Sequence, residues 1–114
     1  MSRQSYSLLT LTYLSVGAVG ACRFVGYDGA QVSVAGALVL GVSASSAGTG
    51  DAYPVDILGT TLVETGDAIG IGDEIQSDAS GRAIPLATGG KRTGRALSAA
   101  TGDGQFIEIL LIQS

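Results

Sequence analysis

The sequence lacks histidine and tryptophan, and it has only one cysteine among its 114 residues. Histidine is the side chain that most often moves protons near neutral pH. Its absence excludes Ser-His-Asp and Cys-His catalytic arrangements, and every metal site built on imidazole. The single Cys22 excludes an internal disulfide, and we expect it to be a small buried apolar residue. We therefore expect no enzymatic activity, no cofactor, no metal and no small-molecule substrate.

Charged residues are also scarce. They make up 14% of the chain, with 10 acidic and 6 basic side chains and a formal net charge of −4. Nucleic-acid binders need a basic face that neutralises phosphates, so nucleic acid is not an expected partner. The uncharged segments 4–22 and 29–50 are interrupted by serines and glycines. Such segments make a poor signal peptide and a poor membrane span, so no membrane partner is expected either.

Glycine, by contrast, is abundant, with 18 residues against 2 prolines. Glycine reaches positive φ without steric cost and therefore suits tight turns. Helical periodicity is weak, whereas short strand-like segments recur between turns rich in Asp and Gly. The candidate strands are 22–25, 31–34, 38–43, 53–58, 61–64, 74–77, 82–86, 94–97 and 106–112. This pattern predicts an all-β domain, a small barrel or sandwich of short strands.

Parts of the sequence recur at a fixed distance. The triplet 49–51 (Thr-Gly-Asp) returns at 101–103, and the alternating segment 55–58 returns in kind at 107–110. Both pairs are offset by the same amount (101 − 49 = 52). The pattern indicates a candidate internal duplication of 22–58 and 74–110. The alternative is chance recurrence of common residues.

The two segments 55–58 and 107–110 each carry one acid between apolar neighbours. Because side chains alternate along a strand, Asp56 and Glu108 are expected to face outward. The run Ile109–Ile112 is continuously apolar. We expect the barrel to cover one of its faces and another chain to cover the other.

The first twenty residues differ from the rest, and we interpret 1–20 as an extended arm preceding a β-rich domain, 21–114. An arm of this kind can add a strand to the edge of a neighbour's sheet. Its candidate partner-binding residues are Tyr6, Leu8, Leu11 and Tyr13. The alternative is that this segment is the first strand of the domain itself.

Two clusters of charge need interpretation. Lys91, Arg92 and Arg95 form the one concentration of positive charge, which could bind an acidic partner surface or be a solvated loop. The acidic cluster consists of Asp67, Asp73, Glu74 and Asp78. A paired-carboxylate hydrolase or a Ca²⁺ site would use such residues, but the spacing fits no calcium loop. We favour turn-shaping aspartates, because Asp beside Gly is typical of turns.

An ordered set of short motifs resembles a family of small capsid decoration (cement) proteins of tailed phages. The resemblance covers about residues 20–112, and its motifs are Arg23–Gly29, Leu40–Ser43, Gly50-Asp51, Gly66-Asp67, Ile69, Gly72-Asp73, Ile75, Asp78, Gly81–Ala83, Ala87-Thr88, Gly94–Leu97, Ala99-Ala100, Gly102 and the strand from Ile107. It implies a β-rich homotrimer that binds the major capsid protein on the outer surface of the virion, after synthesis in the bacterial host cytoplasm. It implies no catalytic residues.

Two other classes of protein compete with this interpretation. A surface-displayed carbohydrate-binding or adhesin-like module would need exposed aromatic side chains, and aromatics are only 5% of this chain. An enzyme would have to use the acidic cluster.

Overall fold

The computed structural model describes residues 7–87 and 89–111, with side chains from residue 9 onward. Eight strands and no helix form within these ranges, which confirms the all-β prediction. The strands are β1 (Ser7–Leu14), β2 (Phe24–Val25), β3 (Gly41–Ser43), β4 (Ala52–Glu64), β5 (Glu74–Ser77), β6 (Ala83–Pro85), β7 (Gly94–Ala96) and β8 (Phe106–Leu111).

The strands form one antiparallel sheet organised by the long strand β4. The strand order is β2-β3-β4-β8-β7-β5-β6, and β1 also pairs with β4. The first half of β4 pairs with β1 and β3, and its second half pairs with β8. A bridge between Thr65 and Ala83 then joins the end of β4 to β6. The sheet is thereby nearly closed, as the barrel prediction requires.

The sequence predicts two strands, 53–58 and 61–64, where the structure has the single strand β4. Gly59 lies at the junction with φ 95°. A glycine tolerates this conformation, so the chain can bend there without a separate turn. The bend lets one strand serve both halves of the sheet.

The predicted strand 31–34 is the clearest error in the strand assignment. Only an isolated bridge between Val25 and Gln31 forms there. Gly29 has φ 83°, and the Gly26 N–H donates to the Ala30 carbonyl oxygen at 2.9 Å. This turn leads the chain into a loop, and burial of Val32 takes the place of strand pairing.

The internal duplication is present in the hydrogen bonds, but not at the predicted offset. The Ser15 N–H donates to the Asp51 carbonyl oxygen at 2.9 Å, and the Thr65 N–H donates to that of Gln105 at 2.7 Å. If the two bonds are equivalent, their donor residues are 50 positions apart (65 − 15 = 50) and their acceptor residues are 54 positions apart (105 − 51 = 54). The distance between equivalent residues therefore grows along the chain because of insertions in the loops, and it is not uniformly 52.

The corrected offsets change which elements are equivalent. Strand β1 of the first repeat corresponds to the second half of β4, β2 to β5, and β3 to β7. The first half of β4 corresponds to β8. The pairing register agrees, since Leu11 faces Val55 as Thr61 faces Ile109. The segment containing β1 therefore belongs to the duplicated unit, which the predicted boundaries of 22–58 left out.

The core consists of two apolar clusters. The larger contains Phe24, Val32, Val39, Val42, Val63, Ile69, Ile75, Ala83, Ala96, Ala100, Ile107 and Ile109. The smaller contains Val19, Val25, Tyr53, Val55 and Ile57, with Tyr13 packed against it. The Tyr53 hydroxyl donates to the Gly29 carbonyl oxygen at 2.5 Å, which satisfies the polar end of this buried ring.

The prediction that Asp56 and Glu108 face solvent is wrong. Asp56 is 6% exposed and Glu108 is 7% exposed. Asp56 accepts hydrogen bonds from Thr10 and Thr61, each at 2.9 Å, so the bend of β4 and strand β1 cover it. Alternation along a strand predicts opposite faces, but it does not predict what packs on the second face.

Candidate partner-binding site

The N-terminal candidates lie in or next to a strand of the chain's own sheet. Tyr6 and the side chain of Leu8 lie outside the described residues. β1 pairs antiparallel with β4 of the same chain, with Leu11 opposite Val55. Tyr13 packs on the smaller core cluster, whereas Leu11 is 36% exposed. This is the arrangement in which the segment is the first strand of the domain.

The outer side of this region exposes large apolar side chains. Leu9 and Leu58 are paired across β1 and β4, and both are exposed. Leu14 and Val16 are exposed where β1 ends. Leu9 and Leu14 were not among the predicted partner-binding residues, although Leu9 alternates with Thr10 and so carries the same sequence signal as Leu11.

The basic cluster is partly neutralised. Arg92 Nη1 lies 2.8 Å from Glu74 Oε2, and Arg95 Nη2 lies 3.9 Å from the same oxygen. Arg95 Nη1 also donates to the Gly72 carbonyl oxygen at 2.7 Å. Lys91 is exposed. Two guanidinium groups share one carboxylate, so the cluster keeps surplus positive charge at the surface.

A second apolar face lies over β8 and the second half of β4. Leu62 of β4 lies opposite Glu108 of β8. Phe106 and Leu110 flank Glu108 on the same face of β8. Phe106 is 40% exposed and Leu110 is 43% exposed. The period-two pattern of 106, 108 and 110 is the sequence signal for this face. The prediction that another chain covers the outer face of the run Ile109–Ile112 concerns this same face, and it remains a prediction.

A shallow cleft lies at the loop between β2 and β3. Its lining includes Tyr27, Val34 and Leu38, all of which are exposed. Sequence reasoning placed a strand in this loop and so missed the cleft. Among the described residues that line this cleft, there is no cluster of titratable side chains that would indicate a catalytic site.

The acidic residues mostly bind the backbone of their own turns. Asp67 accepts from the Ala68 N–H and Asp73 from the Gly70 N–H, each at 2.8 Å. Asp78 Oδ1 accepts the N–H groups of Ser80 and Arg82, also at 2.8 Å. These are the contacts expected of turn-shaping aspartates. Residues 7–87 and 89–111 contain no group of three or more residues placed to hold a metal ion.

Cys22 lies in a conformation that strains a residue with a side chain, with φ 58°. Its N–H donates to the Ser43 carbonyl oxygen at 2.8 Å, which holds it there. Burial raises the pKa of the Cys22 thiol, and the carboxylates of Glu64 and Asp56 raise it further, against a smaller opposite effect of Arg23. The thiol is therefore protonated at neutral pH and is a poor nucleophile.

Ion pairs that are partly shielded from solvent form between the two repeats and within the second repeat. Arg23 Nη2 lies 3.1 Å from Glu64 Oε1, and Arg82 Nε lies 3.4 Å from Asp78 Oδ2. Arg23 Nη1 also donates to the Ser80 carbonyl oxygen at 2.8 Å. Arg23 therefore joins β2 of the first repeat to Glu64 and Ser80 of the second, whereas the Arg82–Asp78 pair lies within the second repeat. Both arginines are bound within the fold.

No helix long and apolar enough to cross a membrane occurs in the described part of the chain.

Comparison with known proteins identifies the class of protein to which this architecture belongs. The model of the phage cement protein family matches residues 4–111. The chain therefore belongs to the phage cement protein family, and its role is phage capsid decoration. This confirms the resemblance seen in the sequence and associates the protein with the virion.

Among solved structures, the chain is similar to the head fiber gp8.5 N base of bacteriophage phi29. The TM-score is 0.72 at 22% identity, over 93% of this chain and 95% of that one. At this identity the likeness shows the fold, which agrees with the nearly closed antiparallel sheet. No curated protein matches the chain.

Proposed function

We propose that this protein is a homotrimeric cement protein that binds the major capsid protein on the outer surface of the phage head. It bridges neighbouring capsomers and stabilises the head against the pressure of packaged DNA. The observation that carries this proposal is the family match, which spans residues 4–111 of a chain of 114.

The architecture supports adhesion rather than chemistry, and we propose that the protein is not an enzyme. Exposed apolar side chains lie on strand faces and at strand ends, as Leu9, Leu14 and Leu110 do, and in the loop between β2 and β3. The carboxylates that a hydrolase would need are engaged by backbone N–H groups in turns. Contiguous exposed apolar surface, by contrast, is typical of protein interaction sites.

Stabilisation of the head follows from mass action. A protein that binds the assembled lattice, and not the separated capsomers, shifts the equilibrium toward the lattice. Three linked binding faces add avidity without stronger contacts at each face. The protein is made in the cytoplasm of the host bacterium and attaches to the finished head. The net charge of −4 disfavours contact with DNA.

The test is addition of the purified protein to undecorated, DNA-filled heads, followed by measurement of the temperature of DNA release. We expect saturable binding and a higher release temperature. An unrelated acidic protein of similar size is the control for crowding, and unassembled capsid protein tests preference for the lattice. Absence of binding, or an unchanged release temperature at saturation, would overturn the proposal.

A further inference from the structure

The cleft at the loop between β2 and β3 has the size and the lining of a binding site for a small molecule. It encloses about 380 Å³, and its lining consists of Gly26–Asp28, Ala30–Val34, Ala37 and Leu38. Sites for small ligands typically span about 300–1,000 Å³ and combine an apolar lining with a few polar groups. The cleft is therefore large enough for a ligand of one or two rings.

The apolar part of the cleft is open to a ligand. Tyr27 is 53% exposed, and Val34 and Leu38 are exposed as well. Tyr27 is the aromatic residue of this lining, and an exposed aromatic ring offers a flat apolar surface on which another ring can pack.

The polar part of the cleft is an incompletely bonded carboxylate beside that ring. Asp28 Oδ1 accepts the Ala30 N–H at 3.1 Å, whereas no hydrogen bond among the described residues involves Asp28 Oδ2. Ser33 adds an exposed hydroxyl group to the same lining. A carboxylate oxygen accepts hydrogen bonds, and a hydroxyl group both donates and accepts them. The lining therefore suits a ligand that carries hydroxyl groups.

The turn 26–30, which carries the ring and the carboxylate, is fixed by the fold. The Gly26 N–H donates to the Ala30 carbonyl oxygen at 2.9 Å, and the buried Tyr53 hydroxyl donates to the Gly29 carbonyl oxygen at 2.5 Å. A site that is already ordered loses less entropy when a ligand binds.

The second repeat contains the same turn. The Asp78 N–H donates to the Arg82 carbonyl oxygen at 2.8 Å, in the same pattern as the bond that closes the turn 26–30 (78 − 26 = 52; 82 − 30 = 52). Gly29 and Gly81 also share a positive φ, of 83° and 76°. The turn 78–82 is therefore the equivalent of 26–30.

The equivalent turn lacks the chemistry of the cleft. Ala79 stands in the place of Tyr27, and Ser80 stands in the place of Asp28. The fold thus forms this turn without an aromatic ring or a carboxylate at these positions. Both side chains are therefore better explained by a ligand than by folding.

The opposite wall of the cleft differs between the repeats in the same way. The Ala37 N–H donates to the Val34 carbonyl oxygen at 3.3 Å, and the Gly90 N–H donates to that of Ala87 at 3.0 Å (90 − 37 = 53; 87 − 34 = 53). Alanine therefore replaces the exposed valine in the second repeat. The apolar surface of the cleft is a property of the first repeat alone.

We propose that this cleft binds an uncharged saccharide. The apolar C–H face of a sugar ring packs on Tyr27, and its hydroxyl groups donate to Asp28 Oδ2. A purely apolar protein side chain would instead displace water from this carboxylate without supplying a donor, which is unfavourable. The inference goes beyond the proposed function, because a saccharide site does not depend on attachment to a head.

The cleft binds its ligand without cleaving it. Glycoside hydrolysis typically uses two carboxyl groups that flank the scissile bond. Among the described lining residues, Asp28 is the single carboxylate. A saccharide is therefore a ligand of this protein and not a substrate.

The first test is an NMR titration of the full chain with two pairs of sugars. The probes are methyl β-glucoside with cellobiose, and N-acetylglucosamine with diacetylchitobiose. At least one pair should bind saturably with a dissociation constant of roughly 1 mM, as small ligands with few contacts do. Tighter binding of the disaccharide indicates a segment of a glycan, equal affinity indicates a single sugar, and either supports the proposal. Absence of saturable binding by all four sugars overturns it.

The same titration locates the site. The amide signals of Tyr27, Asp28 and Ser33 should shift, and those of Ala79 and Ser80 should not. The turn 78–82 is the internal control, because it has the same backbone without the ring and the carboxylate. Shifts of equal size in both turns would show non-specific binding and overturn the proposal.

Variants test the two contacts separately. Tyr27→Ala and Asp28→Asn should each weaken binding by roughly tenfold or more, whereas Tyr27→Phe keeps the ring and should stay within about threefold of wild type. Phe106→Ala and Asp103→Asn are the matched controls, because each removes the same kind of group from an exposed position outside the cleft.

An unchanged melting temperature shows that a variant is folded. If Asp28→Asn destabilises its turn, the comparison of Tyr27→Ala with Tyr27→Phe decides. Equal binding by Tyr27→Ala and wild type would overturn the proposal.

Head binding separates this inference from the proposed function. If the protein binds heads but no saccharide, the inference fails and the function stands. If it binds a saccharide but no heads, the inference stands and the function fails. If Tyr27→Ala weakens head binding and wild type binds none of the sugars, the cleft is a capsid contact and the inference is overturned.

Discussion

Thr61 Oγ1 donates a hydrogen bond of 2.9 Å to Asp56 Oδ2, and this bond closes the bend in the middle of β4. The other carboxylate oxygen accepts from Thr10 Oγ1 of β1, also at 2.9 Å. One buried aspartate therefore ties the first strand to both halves of the longest strand. The bend is what allows β4 to serve two repeats, so the nearly closed sheet depends on this contact.

Replacing either side of this contact should destabilise the fold. We expect Thr61→Val to lower the free energy of unfolding by about 1–2 kcal/mol, and Asp56→Ala by more, because it leaves two hydroxyl groups without their acceptor. Urea unfolding at fixed protein concentration measures both. Thr49→Val, on an exposed turn, is the control and should change little. Equal stability of Asp56→Ala and wild type would show that the bend is held by other contacts.

Gly41 and Gly94 are equivalent in the two repeats and should respond alike (94 − 41 = 53). A Cβ at Gly41 would overlap the Asp56 carbonyl oxygen, and one at Gly94 would overlap that of Leu110. Each alanine substitution should therefore cost roughly 1–3 kcal/mol of unfolding free energy through backbone displacement. Gly102→Ala is the control, since nothing lies within 4 Å of a Cβ there. If only one of the two substitutions is destabilising, the repeats are not packed equivalently.

Deletion of residues 1–14 tests the position of the N-terminal segment. An arm devoted to partner contact predicts a folded remainder that binds heads poorly. The pairing of β1 with β4 predicts instead an unstable remainder, because Tyr53 and Val55 lose the strand that neighbours them. We expect loss of most β signal in circular dichroism, or a large drop in melting temperature. A truncated chain with wild-type stability would support the division into an arm, 1–20, and a domain, 21–114.

Cys22 should react slowly with alkylating reagents. Burial, the largest effect, and nearby carboxylates raise its pKa, so the thiolate fraction at neutral pH is smaller than for a free cysteine. The iodoacetamide rate should rise with pH, with its midpoint above that of the urea-unfolded chain. As pH rises, the thiol ionises in the unfolded chain before it ionises in the folded one, because its pKa is higher in the folded protein. The free energy of unfolding should therefore fall across that range of pH. A folded midpoint equal to or below the unfolded one would contradict this assignment.

Calcium should not change the stability of the protein. Asp67, Asp73 and Asp78 each accept backbone N–H groups, and their turns are complete without a cation. Calorimetric melting curves with Ca²⁺ and with chelator should coincide, and Mg²⁺ is the control for a general divalent effect. A rise in melting temperature specific to Ca²⁺ would show that the acidic cluster binds metal.

Local chemistry explains why the sequence alone determined the fold class and most strand positions. Turns rich in Asp and Gly end the strands, and Gly29, Gly50, Gly81 and Gly104 all adopt the positive φ that makes such turns possible. The ordered motifs from Arg23 to the final strand were enough to indicate the phage cement family. These signals depend on short stretches of chain, so they can be read without tertiary contacts.

Only the tertiary structure decided the register of the repeats and the surroundings of the two strand acids. Loop insertions shift the offset from 50 to 54, and a fixed offset cannot represent a shift that accumulates along the chain. Asp56 and Glu108 follow the same sequence pattern, yet two threonines donate hydrogen bonds to the Asp56 carboxylate, whereas the hydrogen bond between Glu108 and Ser98 Oγ is donated by the Glu108 backbone N–H and does not involve its carboxylate. What covers the outer face of a strand depends on elements distant in sequence, and alternation along that strand carries no information about them.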